Sequence, residues 1–171
     1  MDRQVGQRRS THHPRPVTGG QPVIHVAAAL VTDAAGRALM VRKRGTDAFM
    51  QPGGKIEPGE SALDTVRREL HEELGLLLPA ERFAWLGTFE QDAANEPGRR
   101  VLAECFAVTL DEIDQIPVAA AEIEQSLWVD PASPGNLRLA PLSVHALLPL
   151  IGTGVIGPDA EKIEPSNMLD P

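Results

Sequence analysis

The residues that most restrict this chain run from a glycine-rich turn, Gly54-Lys55-Ile56-Glu57-Pro58-Gly59-Glu60, into Arg68-Glu69-Leu70-His71-Glu72-Glu73-Leu74-Gly75-Leu76. Pro52-Gly53-Gly54 breaks regular structure, and a short strand is expected from Lys55 to Glu57. Pro58-Gly59-Glu60-Ser61 then opens a helix. Ser61 is its expected N-cap, with Asp64 three residues later, and Gly75 its expected stop. With Leu63 as zero on a helical wheel, Val66, Leu70 and Leu74 fall within roughly 60°, an apolar stripe for a core. Glu69 and Glu73 fall at about 240° and 280°, and Glu72 at about 180°. The acidic arc therefore borders the stripe: one edge of the helix packs, and the adjoining edge presents oxygens to a cleft. Acids at i, i+3 and i+4 repel one another by a few tenths of a kcal/mol per pair. Hard divalent cations, which take oxygen ligands, are the natural way to neutralise them. Acidic helix faces are ordinarily just solvated; the glycine turn, Glu60 and Arg68 in register set this one apart. Gly53 and Gly54 let backbone approach a ligand closely, and their carbonyls can coordinate a cation. Arg68, at about 140° on the side away from the glycine loop, is placed to pair with Glu72 or with a loop carboxylate.

Written as G-x5-E-x7-R-E-U-x-E-E-x-G-U, with U aliphatic, this segment resembles the Nudix box. Gly54, Glu60, Arg68, Glu69, Leu70, Glu72, Glu73, Gly75 and Leu76 fill its fixed positions. The flanks, from about residue 23 to residue 150, are compatible with that family's domain but carry no comparably specific motif. The resemblance implies an α/β fold, a Nudix-type α/β/α sandwich with a mixed β-sheet. It implies Mg²⁺-dependent hydrolysis of a phosphoanhydride bond in a nucleoside diphosphate linked to another moiety, such as a nucleotide sugar, with Mn²⁺ as a possible substitute. Glu69, Glu72 and Glu73 are then the metal ligands, joined by a backbone carbonyl just before the box, here that of Gly53. Arg68 completes the catalytic set as an orienting residue. The general base is either one of the box glutamates or a later one, and Glu104, Glu122 and Glu124 are the candidates. A nucleotide sensor that kept the fold and lost turnover is the alternative. The complete set of box glutamates argues against it, because binding alone does not need the whole set. A protein-interaction module using its polar tails is a second rival.

For the substrate, Arg42, Lys43 and Arg44 end the second expected strand just before the loop into the box. Arg42 and Arg44 are substrate-binding candidates for terminal phosphates; a solvated strand end is the competing reading. Phe49 is a candidate to stack on a base, although packing suits it better, because the chain has only four Phe, two Trp and no Tyr. Trp85, Phe89, Phe106 and Trp128 are expected in the core or the cleft wall. The extra signatures that mark Nudix sub-families are missing. There is no S-Q-P-W-P-F-P-x-S segment, no coenzyme A signature, no proline about sixteen residues past the box, where Asp92 stands, and no tyrosine. What remains is a small nucleotide substrate of undetermined base.

Length and composition set the outer bounds. The 171 residues suggest one domain with a real core, between an arm over residues 1–20 and a tail over 153–171, with the domain at 21–152. Val23 to Val31 is a near-continuous apolar run suited to a strand buried on both faces. Ala38 to Arg42, Ala84 to Gln91, Val101 to Leu110 and Ser126 to Val129 follow as strands, with a loop over Arg44 to Gln51, and Pro141 to Ile151 as a helix. No apolar run reaches eighteen residues, so no membrane partner is expected. The net charge of −8 disfavours nucleic acid as a partner. One cysteine, Cys105, and a polar N-terminus suit a cytoplasmic protein. A homodimer, with a tail swapped onto its partner, is possible.

Overall fold

The structure is a computed structural model, described for residues 23–153. The arm at 1–20 and the tail beyond 153 lie outside the described residues. The strands are β1 (Val23–Thr32), β2 (Ala38–Lys43), β3 (Phe49–Met50), β4 (Gly53–Lys55), β5 (Ala84–Asp92), β6 (Arg100–Thr109) and β7 (Ile123–Val129). Helix α1 spans Ala62–Leu74, and a helical segment runs over residues 141–150. The sheet is mixed. β1 runs parallel to β6 over ten residue pairs, from Val23↔Arg100 to Thr32↔Thr109, while every other pairing between these strands is antiparallel.

The apolar run of β1 has a simple cause: both faces of the sheet are covered. Ala27, Ala29 and Val31 pack toward α1, with Leu39, Val41, Val66, Leu70, Leu74, Phe106 and Val108. Ala28 and Leu30 face the other way, onto Met40, Ala103, Cys105, Leu142, Ala146 and Leu147. These two cores make the α/β/α sandwich. The second helical layer is irregular. Leu148 N–H reaches back five residues to the Ser143 carbonyl, and Leu148–Leu150 tighten to a 3₁₀ turn. Pro149 explains the tightening, since it lacks an N–H and its ring would collide with the carbonyl four residues back.

Helix α1 forms where its caps dictate. Ser61 accepts the Asp64 N–H at 3.1 Å, and Gly75 closes the helix at φ 70° with its N–H on the His71 carbonyl. Val66, Leu70 and Leu74 are each at most 1% exposed, so truncating one, as in Leu70→Ala, removes about 2–5 kcal/mol.

Three elements differ from the sequence expectation. The strand expected at Lys55 to Glu57 is shifted to Gly53–Lys55, because the glycines themselves pair with β1 as Ala28↔Gly53 and Ala27↔Gly54. The stretch from Arg44 to Gln51 is not wholly loop: Phe49 and Met50 pair with Arg42 and Val41. β7 starts at Ile123, because the ladder with β2 continues across a register shift at Arg42/Lys43. Trp85 is also half exposed, on strand β5 at the sheet edge, edge-on to Phe106 at 5.1 Å between ring centroids. No described helix is long and apolar enough to cross a membrane.

Candidate active site

Glu73 is the unusual residue of α1. It is 1% exposed, although the wheel puts it beside the stripe and not within it. The chain after β6 docks on its backbone: Ala120 N–H bonds to the Glu73 carbonyl at 2.8 Å and Val118 N–H to that of Leu74 at 3.0 Å. Its carboxylate Oε2 accepts the Gly53 N–H at 3.0 Å, while Oε1 is buried with no hydrogen-bond partner among the described residues. Burial raises the Glu73 carboxyl to about 7, against the opposing pull of Lys43 and the Gly53 N–H.

Glu69 sits on the neighbouring glycine. A Cβ on Gly54 would lie 2.1 Å from Glu69 Oε1, so only glycine leaves room for that carboxylate. A Cβ on Gly53 would lie 2.2 Å from the Ala27 carbonyl oxygen, which locks β4 against β1. The two glycines thus bring bare backbone between two glutamates.

Arg68 lies toward the loop, not away from it. Its fork grips both oxygens of Glu60, Nε to Oε1 at 2.8 Å and Nη2 to Oε2 at 2.9 Å, and Nη2 reaches the Lys55 carbonyl at 3.4 Å. The turn from Lys55 to Glu60 folds back along the helix, a path that a wheel drawn for α1 alone does not contain. Nη1 bonds Glu69 Oε1 at 2.8 Å and stands 3.5 Å from Glu72 Oε2. The Arg68 hydrogen bonds, helped by the Thr65 hydroxyl, hold the Glu60 carboxyl down at about 2, and Glu60 in turn raises Arg68 above its ordinary value. Glu72 is half exposed beside them.

Of the three basic residues at the end of β2, the structure brings Lys43 to the site. Strand alternation sends Arg42 to the face of Met40, away from α1. There its Nη1 bonds Glu124 Oε2 at 2.7 Å and the Thr46 carbonyl at 2.9 Å, with its guanidinium 5.7 Å from the Phe49 ring centre. Arg44 is exposed on a turn. Neither arginine lines the cleft beside β4. Phe49 is 6% exposed in the second core, so packing and not stacking is what its position provides. Lys43 faces α1, its Nζ 3.8 Å from Glu73 Oε1 and ion-paired with Glu122. Burial alone would lower the Lys43 ammonium, but Glu122 and Glu73 outweigh it and the net shift is upward.

The three later glutamates separate by position. Glu104 alternates with Phe106 and Val108 on the α1 face and pairs in register with Ala27, which pairs with Gly54 on its other side. Glu122 neighbours Glu73 through Lys43. Glu124 is turned outward onto Arg42. The cleft, about 220 Å³, is lined by Ile24, Val26, Met50, Gln51, Leu142 and residues 92–96, together with Gly53, Gly54 and Lys43.

The side chains around Gly53 and Gly54 offer donors for a divalent metal. All are hard oxygens, and the orphaned, buried Oε1 of Glu73 is the kind of atom a cation satisfies. Among the described residues no three His, Cys, Asp or Glu side chains converge as a ready-made cluster, and Glu69 and Glu72 are both within 3.5 Å of Arg68. The donor chemistry fits a hard cation.

The family model of the NUDIX domain matches residues 22–147. An uncharacterized Nudix hydrolase of Bacillus subtilis is 29% identical over 113 residues, 65% of this chain and 69% of its own. An RNA pyrophosphohydrolase of Legionella pneumophila is 43% identical over only 53 residues, 31% of this chain and 30% of its own, so the chain spans less than a third of that relative. The crystal structure of a MutT NUDIX hydrolase from Burkholderia pseudomallei superposes with a TM-score of 0.62 at 21% identity, covering 74% of this chain and 97% of the other. The chain belongs to the Nudix hydrolases, enzymes that act on pyrophosphate bonds of nucleoside diphosphate derivatives and generally use divalent metal ions.

Proposed function

We propose that this protein hydrolyses the phosphoanhydride of a small nucleotide or nucleotide sugar, with Mg²⁺, or Mn²⁺ in its place, held by Glu69, Glu72, Glu73 and the Gly53 carbonyl. The supporting observation is Glu73, a buried carboxylate with one oxygen on the Gly53 N–H and the other without a partner. A divalent cation there polarises a phosphoryl oxygen and acidifies a water. The side chains do the positioning. Arg68 holds Glu69 over Gly54 and is itself fixed by Glu60. The missing Cβ of Gly53 lets β4 close on Ala27, and that of Gly54 leaves room for Glu69 against the backbone. Glu104, which pairs with Ala27 beside Gly54, and Glu122, which shares Lys43 with Glu73, lie nearer the box and are stronger base candidates than Glu124, which is turned outward onto Arg42.

The apolar walls of the cleft suit a nucleoside face, with phosphates directed to Lys43 and the glycines. A free nucleotide is favoured over an RNA end, because the net charge of −8 works against binding a long polyanion. The catalytic unit is the domain at 21–152, acting in the cytoplasm as a monomer or homodimer. The test is a panel of nucleoside triphosphates, nucleotide sugars and dinucleotides incubated with Mg²⁺ and resolved by chromatography. The expected result is a nucleoside monophosphate with a second phosphorylated product, abolished by excess chelator. Hydrolysis undiminished in chelator overturns the proposal.

A further inference from the structure

Lys43 stands where two demands on one charge meet. Its Nζ is 3.8 Å from the partnerless Oε1 of Glu73, and among the described residues it is the only cationic side chain within 4.0 Å of that carboxylate. At that distance the ammonium balances charge without making a hydrogen bond. Its second partner, Glu122, is more than half exposed, so leaving that pair costs little. The same side chain lines the cleft beside Gly53 and Gly54. Its four-carbon stem lets the ammonium swing between these places.

Resting on the metal-dependent function proposed above, we propose that Lys43 is a movable counter-ion: it competes with the divalent cation for Glu73 and, once displaced, neutralises the substrate's phosphates. A divalent cation on Glu73 Oε1 repels an ammonium held 3.8 Å from the same oxygen, so each weakens the hold of the other. The displaced ammonium already borders the cleft, where phosphate brings the negative charge it needs. Removing Lys43 therefore has effects of opposite sign: the metal alone binds more tightly and the substrate more weakly. A structural role would weaken both, and a solvated strand end would change neither.

The test uses the full chain without substrate, titrated with Mn²⁺ and read by the electron paramagnetic resonance of the free ion. Lys43→Met is expected to bind Mn²⁺ about fivefold or more tightly than the wild type, and Lys43→Arg, which keeps the charge, to bind about as the wild type does. For the best nucleotide of the panel, Lys43→Met is expected to raise KM about tenfold while kcat changes less. Unchanged or weaker Mn²⁺ binding by Lys43→Met, with binding lost in Glu73→Gln, overturns the role of Lys43 and leaves the metal site standing. Unaltered Mn²⁺ binding in Glu73→Gln overturns the metal site itself, and this inference with it. Melting curves establish that each variant folds; should Lys43→Met fail to fold, Lys43→Gln is read in the same way.

Discussion

Replacing each glycine of the Gly53-Gly54 pair by alanine should break the protein in a different way. At Gly53 the new Cβ would lie 2.2 Å from the Ala27 carbonyl oxygen and 2.8 Å from the Ala28 Cα, both backbone atoms of a central strand. The residue also sits at φ 148°, where side chains are rarely found. Strain of about 1–3 kcal/mol adds to overpacking of about 1–3 kcal/mol, so Gly53→Ala should cost about 2–6 kcal/mol. In a domain of this size each kcal/mol lowers the melting temperature by about 2–4 °C. At Gly54 the Cβ would instead meet the carboxylate of Glu69, 2.1 Å from Oε1 and 2.4 Å from Cδ. That end of a side chain can move. Gly54→Ala should therefore cost only about 1 kcal/mol, the worth of a partly exposed ion pair with Arg68. Turnover should fall on the order of 10²-fold, because Glu69 leaves its place. Thermal melts and steady-state kinetics on both variants separate the two modes. A Gly53→Ala protein as stable as the wild type would show that the Ala27 contact tolerates a side chain, and a Gly54→Ala protein with wild-type turnover would show that Glu69 does not depend on Gly54.

In excess chelator, Glu73 should make stability fall with rising pH. Its folded value of about 7 exceeds the ordinary 4.5, so its contribution is complete below pH 4.5 and lost as pH rises through 7. The loss is at most about 3 kcal/mol, and Glu73→Gln should remove it; urea midpoints at pH 5 and 8 that shift equally in both proteins would refute this. Arg68→Lys forfeits the fork on Glu60 and should lower turnover about tenfold or more with KM within a few-fold; a large rise in KM at unchanged turnover would show that Arg68 contacts substrate instead. A chain trimmed to residues 21–156 should keep its melting temperature and turnover; lost activity together with a fall from dimer to monomer in solution would show that an end completes the site.

Helix α1 and its caps were legible because they are local: Ser61, Asp64 and Gly75 act within a turn of one another, and the stripe follows from helical spacing. The double burial of β1 was legible from its unbroken apolar run. What escaped was set by distant chain. Glu73 is held by distant chain, its carboxylate by Gly53 and Lys43 and its backbone carbonyl by Ala120, more than forty residues downstream, none of which a wheel includes. The grip of Arg68 on Glu60 needs the loop's return path. The strand at Gly53–Lys55 runs against glycine's poor strand propensity, because close approach to Ala27 excludes any side chain. Lys43 was within reach. It shares the parity of Leu39 and Val41, both of which face α1, while Arg42 shares that of Met40. Strand alternation was the signal that points to Lys43 over its two arginine neighbours.

The proposed activity requires a divalent cation seated at Glu73 against the Gly53–Gly54 backbone. Anomalous diffraction from crystals grown with Mn²⁺ and a non-hydrolysable nucleotide tests it most directly. The predicted result is a peak within about 2.0–2.3 Å of Glu73 Oε1, with the nucleotide phosphates on the same ion. A peak elsewhere, or nucleotide phosphates bound at the glycines with no metal beside Glu73, contradicts it.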